Sequence, residues 1–174
     1  MSDAESLRVA PELEKDWPGA SAIATEVVLN VVRTGETVTA LLDSLVRHHG
    51  LPSATGLLVL EILRGEGGPL APSVIAQRGF VSRPALSGVM NTLERRGFLR
   101  RYTDPRDRRR VLVELIDHGM DTMLALLPEL HRAEVEWTAA LSDTQKASLL
   151  RHLGRLQRHL TRDAPNRPDP VGEA

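Results

Sequence analysis

Ile75-Ala76-Gln77-Arg78-Gly79-Phe80-Val81-Ser82-Arg83-Pro84-Ala85-Leu86-Ser87 is the stretch on which the fold turns. Two short helical patterns, about 71–78 and 83–96, meet within it. The small Ala76 lets the second helix approach the first, and Gly79 offers permissive backbone for the turn between them. Val81 is expected to plug the core. Ser82 is expected to cap the second helix, with Pro84 tolerated in its first turn. Leu86, Val89 and Leu93 then form the buried face, leaving Arg83, Ala85, Ser87, Gly88, Asn91 and Thr92 outside. This is a helix-turn-helix whose second helix carries small and hydrogen-bonding residues. A DNA major groove asks for that surface: close approach, a guanidinium for guanine, an amide for adenine and a helix dipole for phosphate.

Directly downstream, Phe98-Leu99-Arg100-Arg101-Tyr102 and Val111–Ile116 read as the strands of a β hairpin. The loop between them, Thr103 to Arg110, is expected to project. Arginine at its tip (Arg106, Arg108, Arg109) can enter an adjacent minor groove. Asp107 among those arginines is expected to pair with one of them and fix its direction. Arg95, Arg96, Arg100 and Arg101 read mostly as phosphate clamps. Charge supports this. Ser82 to Arg110 holds nine arginines against three acids, a local charge of +6 in a chain of net −1, which leaves −7 elsewhere. A polyanion responds to potential over roughly a Debye length of ~8–10 Å, so the local excess outweighs the global sum.

Upstream, residues 1–18 read as a loose polar arm with room for one helical turn. A long helix follows from Ser21 to about His48, with Ile23, Val27, Val31, Val38, Leu41 or Leu42, and Leu45 in one apolar stripe. Ser53 can cap the next helix, through Leu57, Leu60 and Leu63, before a loop at Gly65-Glu66-Gly67-Gly68-Pro69. Beyond the hairpin, Asp117 can cap a helix through Met120, Met123, Leu127 and Leu130, with Pro128 inside it. Ser142 and Gln145 form a capping box for a last helix carrying Leu149, Leu153, Leu156 and Leu160 at 4-3-4 spacing. Both terminal helical regions carry apolar stripes outside the basic module, and a second copy of the chain is the economical way to cover them. Aromatic residues are only 3%, so the core must be aliphatic. With no cysteine, disulfides and thiol chemistry are excluded. The acidic opening segment does not read as a secretory signal and no apolar run reaches ~20 residues, so a cytoplasmic protein with no membrane association is expected.

Four segments together resemble the MarR (multiple antibiotic resistance regulator) family: Leu51-Pro-Ser-Ala-Thr-Gly-Leu-Leu-Val-Leu60, Ile75-Ala76 with Val81-Ser82, Leu93-Glu-Arg-Arg-Gly-Phe-Leu-Arg-Arg101, and Asp104-Pro-Arg-Asp-Arg-Arg109. The resemblance implies a mainly α fold with a small β hairpin, a winged helix-turn-helix lobe plus helical dimerisation arms. It divides the chain into an N-terminal arm (1–20), a MarR-like domain (21–160) and a disordered tail (161–174). Within the domain the winged lobe is about 51–116, and the dimerisation helices are 21–48 and 118–160. It implies a homodimeric regulator, commonly a repressor, on a pseudo-palindromic operator in double-stranded DNA, released by a small, often aromatic, effector. Carried over by position, the DNA contacts would be Ser82, Arg83, Ala85, Ser87, Gly88 and Asn91, with Arg106, Asp107, Arg108 and Arg109 on the wing and Arg109 in the minor groove. Where the family usually has Leu-Thr after the wing, this chain has Ile116-Asp117. Lacking cysteine, it also lacks the peroxide-sensing chemistry of one branch of the family.

Two alternatives stay open at this level. The winged helix could serve as a protein–protein adaptor with an acidic partner. A metal-responsive regulator would need the histidines, but His48 and His49 point ~100° apart and no carboxylate stands at ligand spacing between His152 and His159. No phosphate loop, nucleophile elbow or His-Glu-x-x-His pattern suggests an enzyme, and no cofactor is implied. Trp17 and Trp137 pack in the core or arm, or else Trp17 lines an aromatic-ligand pocket, as the arm tryptophan of urate-responsive relatives suggests.

Overall fold

The computed structural model describes residues 6–10, 12–79 and 81–162. In chain order it contains α1 (Leu13–Asp16), α2 (Ala22–His48), α3 (Ala54–Glu66), α4 (Pro72–Gly79), α5 (Arg83–Arg95), β1 (Leu99–Asp104), β2 (Asp107–Leu115), α6 (Asp117–Trp137) and α7 (Asp143–Arg162). The fold is mainly α with one antiparallel hairpin, the arrangement of a winged helix-turn-helix. Two compact units divide at Pro128, inside α6: Met1–Leu127 and Pro128–Ala174.

Helix starts follow local chemistry. Ser21 accepts a hydrogen bond from the Ala24 N–H, Ser53 from Gly56 and Ser82 from Ala85, each satisfying a donor that the helix itself leaves unpaired. In the second unit the capping box forms as expected. Gln145 Nα donates to Ser142 Oγ at 3.4 Å, and Ser142 Nα donates to Gln145 Oε1 at 2.8 Å. Asp117 is instead the first residue of α6, where its charge faces the positive end of the helix dipole.

Helices α2 and α5 stop in the same way. Gly50 (φ 78°) and Gly97 (φ 74°) take the left-handed conformation that residues with a Cβ avoid. In each case the glycine N–H and the next N–H turn back onto the helix: Gly50 to Arg47 O and Leu51 to Val46 O, Gly97 to Glu94 O and Phe98 to Leu93 O, at 3.0–3.1 Å. This is the Schellman pattern, with an apolar residue after the glycine tucked inward. Leu51 and Phe98 are both buried. The Glu94-Arg-Arg-Gly97-Phe98 segment thus ends one element and aims the next.

The core of the first unit gathers Leu57, Leu60 and Leu63 of α3, Ile75 of α4, Leu86, Met90 and Leu93 of α5, Leu99 and Val113 of the hairpin, and Met123 and Leu126 of α6. Two expectations shift by one residue here. Met90 rather than Val89 is the deep residue of α5, and Leu126 rather than Leu127 that of α6. Neighbours on a helix point ~100° apart, so when both are apolar the packing partner decides which one turns inward. Gly79 also acts differently from expectation. It lies at the end of α4 without a left-handed φ, and a Cβ there would stand 3.3 Å from Val81 Cγ2 and 3.4 Å from Leu58 Cδ2. Its value is space for helix packing rather than turn geometry.

The hairpin departs most from expectation. Its strands run on to Asp104 and from Asp107, with Asp104 opposite Asp107, so the eight-residue loop shrinks to Pro105-Arg106. A register irregularity falls between Thr103 and Asp104. Arg108, Arg109 and Arg110, which look like a loop in sequence, lie within β2 but opposite that irregularity, between the pairs made by Asp107 and Val111. Leu70 adds a one-residue bridge to Val113, exchanging both backbone hydrogen bonds at 2.8 Å. The loop before it is shorter than expected, since Gly65 and Glu66 still belong to α3.

The arm is anchored rather than loose over its described part. Asn30 Nδ2 donates to Leu7 O and Asn30 Oδ1 accepts the Leu7 N–H, both at 2.9 Å. Glu26 takes Arg8 at 2.9 Å and the Val9 N–H at 3.2 Å, and Glu14 Oε1 receives the Ala22 N–H at the start of α2. The expected disordered tail lies outside the described residues from 163 onward, and α7 continues through Thr161 and Arg162. Among the described residues no helix is long and apolar enough to cross a membrane.

Candidate nucleic-acid interface

Helix α5 buries Leu86, Met90 and Leu93 and turns its other side outward. Ser82, Arg83, Ala85, Ser87, Gly88 and Asn91 are all exposed, so the structure places the six expected contact residues on one accessible surface. At Gly88 an added Cβ would meet nothing within 4 Å. Nothing among the described residues explains a glycine there.

The tip of the hairpin is shaped by its two aspartates. Asp104 Oδ1 accepts the Arg106 N–H at 2.8 Å, and Asp107 Oδ1 accepts the Arg109 N–H at 3.0 Å. Asp107 therefore orients Arg109 through its backbone rather than by pairing with a guanidinium. Thr103 faces Val111 and Asp104 faces Asp107, so Arg108, Arg109 and Arg110 bulge from the register without a Cα partner, and all three are exposed. Among the described residues no hydrogen bond or ion pair holds the side chains of Arg83, Arg106, Arg108, Arg109 or Arg110.

The arginines of 95–101 behave otherwise. Arg100 pairs with Glu114 and lies 5.6 Å over the Tyr102 ring, whose hydroxyl donates to Glu114 Oε2 at 3.0 Å. Partial burial, then that bond to Glu114, raises the Tyr102 pKa. Arg96 donates to Gly50 O at 2.8 Å, tying the end of α5 to the end of α2. Arg95 reaches Thr92 Oγ1 at 3.4 Å. Arg101 bonds Glu94 through Nε (2.8 Å), a terminal nitrogen (2.5 Å) and its backbone N–H (3.0 Å), and also reaches Asn91 Oδ1. These four make bonds within the chain, which the sequence reading of them as phosphate clamps does not include. Arg95 bonds within its own helix, but the partners of Arg96, Arg100 and Arg101 lie seven to 46 residues away, so no local pattern announces them.

Hydrogen bonds from the Arg101 side chain hold the Glu94 carboxyl below the ordinary carboxylate range, against a smaller opposing effect of burial. A depressed carboxylate contributes stability that is present above its unfolded pKa, about 4.3 for glutamate, and lost as pH falls through the lower folded value. Acidification below about pH 4.3 should therefore weaken the protein more than it weakens Glu94→Gln. Urea midpoints of both proteins between pH 7 and pH 3 measure the difference, and parallel curves would show that the pair adds nothing. The pair is about one-third exposed, so solvent screening keeps the effect small.

Between α4, α5 and the hairpin lies a concavity of about 450 Å³, walled by Pro72, Leu86, Met90 and Val111, with Arg83, Ser87 and Arg101 among its polar lining. Trp17 is 69% exposed and is absent from the lining of this cavity, and Trp137 closes α6 half-buried. Among the described residues no three histidine or acidic side chains cluster as a metal site would require.

A family model described as MarR family matches residues 49–110, the segment from the end of α2 to the hairpin. The HTH-type transcriptional regulator YwaE of Bacillus subtilis is 39% identical over 80 residues, 45% of this chain and 47% of YwaE, so the chain matches only about half the length of that relative. PecS, an HTH-type transcriptional regulator of Dickeya dadantii, is 29% identical over 136 residues, 77% of this chain and 81% of PecS. Among solved structures, AbsC of Streptomyces coelicolor, a MarR family transcriptional regulator, superposes with a TM-score of 0.72 at 22% identity, covering 83% of this chain and 99% of AbsC.

Proposed function

We propose that the chain is a transcriptional regulator of the MarR family, whose model matches residues 49–110, and that it binds a pseudo-palindromic operator in double-stranded DNA as a homodimer, most simply as a repressor released by a small molecule. The observation that carries the proposal is the contrast among the arginines. Arg83 at the start of α5 and Arg106, Arg108, Arg109 and Arg110 on the wing have no partner among the described residues, while Arg95, Arg96, Arg100 and Arg101 make internal bonds. Unpaired cations on two adjacent projections suit a groove and its phosphate walls. Gly88, where an added Cβ would meet nothing within 4 Å among the described residues, would let the duplex come close to α5.

The dimer is supported by the stripe along α2. Ile23 (65%), Val27, Val31, Val38 and Leu41 remain exposed in the single chain, and on α7 so do Leu149 and Leu160. Apolar rows of this length normally find a partner surface. A small effector is supported by the apolar-walled concavity behind α5, since a ligand held by Arg83, Ser87 or Arg101 would occupy groups that face the duplex.

The test is a titration of the intergenic DNA upstream of the protein's own gene at several salt concentrations. Binding should be tight and dimeric and should fall steeply with salt. Affinity no better than the nonspecific background of about 10⁻⁴–10⁻⁶ M, on that DNA and on selected sequences alike, would favour an adaptor that docks an acidic protein.

A further inference from the structure

The side-chain amide of Asn91 stands on the exposed face of α5, and one end of it already has a partner. A terminal nitrogen of Arg101 lies 2.5 Å from Asn91 Oδ1. A guanidinium donates hydrogen bonds and accepts none, so the amide atom facing it must be the oxygen. Arg101 is held in turn. Its Nε and a terminal nitrogen both bond Glu94 Oε2, at 2.8 and 2.5 Å, and its backbone N–H bonds Glu94 Oε1 at 3.0 Å. Glu94 and Asn91 sit three apart on one helix, and Arg101 reaches both from β1.

An asparagine that reads adenine uses both ends of its amide: the oxygen takes the adenine N6–H and the nitrogen donates to N7. In this protein Arg101 takes one of the two lone pairs of that oxygen and holds its positive charge beside the other, which disfavours a second N–H donor there, while Nδ2 has no partner among the described residues. We infer that Asn91 is a donor-only reader of the major groove, selecting guanine, the one base with two adjacent acceptors (O6 and N7), over adenine. Arg101 is the positioning residue that sets this preference without touching a base. The inference rests on the proposed DNA-binding role of α5.

Selection of bound sequences from randomised double-stranded DNA tests it, using the full-length protein and the variants Arg101→Met, Asn91→Ala and Asn91→Asp. All four should recover the same half-site except at one position. There the unaltered protein should prefer guanine over adenine by on the order of tenfold. Asn91→Ala should abolish the preference. Asn91→Asp keeps an acceptor for Arg101 but carries no donor, so guanine should be lost there too. Arg101→Met frees the oxygen and should shift the choice to adenine. An unaltered protein that enriches a half-site with adenine at the Asn91-dependent position overturns the inference and leaves operator binding standing. So does an Arg101→Met variant weakened equally on every sequence. If that variant does not fold, guanine retained by Asn91→Asp has the same force. If the unaltered protein enriches nothing, the DNA-binding reading falls and this inference with it.

Discussion

Gly119→Ala should lose on the order of 3 kcal/mol of folding stability or more, although the same substitution in an open helix stabilises. Glycine in a helix interior costs about 1 kcal/mol relative to alanine through backbone entropy, so propensity alone favours the change. Space decides against it. A Cβ at Gly119 would lie 2.1 Å from the Phe98 carbonyl oxygen, 2.9 Å from its carbon and 2.8 Å from Leu115 Cδ1. Two of those atoms are backbone, so no rotamer change relieves the clash, and α6 would have to lift away from the start of β1. That movement would strain the Ile116 N–H bond to Phe98 O (3.3 Å) and the stacking of His118 on the Phe98 ring, 5.1 Å between centroids. It would also disturb Phe98, the apolar residue that closes the turn after Gly97. Gly35 is the control, being in α2 with nothing within 4 Å of an added Cβ. Gly35→Ala should raise stability by up to about 1 kcal/mol. Urea unfolding of the two variants should thus move the midpoint in opposite directions, and a Gly119→Ala midpoint at or above the unaltered protein's would show that α6 has room there.

Gly119 marks the boundary of what is legible in the sequence. Serine caps, the capping box, the left-handed glycine before Phe98 and the exposed face of α5 depend on residues within a few positions of one another, and all can be read from spacing. The close approach of α6 to Phe98 joins residues 21 apart and has no periodicity. The same holds for Arg96 on the Gly50 carbonyl and for Arg101 between Glu94 and Asn91. An arginine-rich run gives only a charge, and it takes the fold to divide that charge into internal ties and a free surface. The short hairpin turn was hidden for a related reason. Asp104 and Asp107 look like loop formers because they bond nearby backbone, and they do, but they also face each other as a strand pair directly across Pro105-Arg106.

That division of charge makes Arg109 the most informative single site. Its side chain is exposed and has no partner among the described residues, and its backbone N–H, held by Asp107 Oδ1, survives truncation. Arg109→Ala should therefore leave folding stability within about 0.5 kcal/mol of the unaltered protein. Its effect on DNA should be large. Each arginine inserted at a groove is worth roughly 1–3 kcal/mol, and a two-fold dimer loses two of them. Together these predict an affinity loss of about a hundredfold or more, with the salt slope shallower by about 2. Arg100→Ala separates this from a general loss of positive charge. It removes the same formal charge four residues inside the hairpin tip, but from a group paired with Glu114. It should cost stability rather than operator affinity. Asp107→Ala should fall between the two in DNA binding, because Arg109 remains but loses the bond that directs its strand. If Arg109→Ala binds operator as tightly as the unaltered protein, the wing does not enter a groove. The free arginines would then be a surface for some other acidic partner, and α5 alone would have to carry recognition.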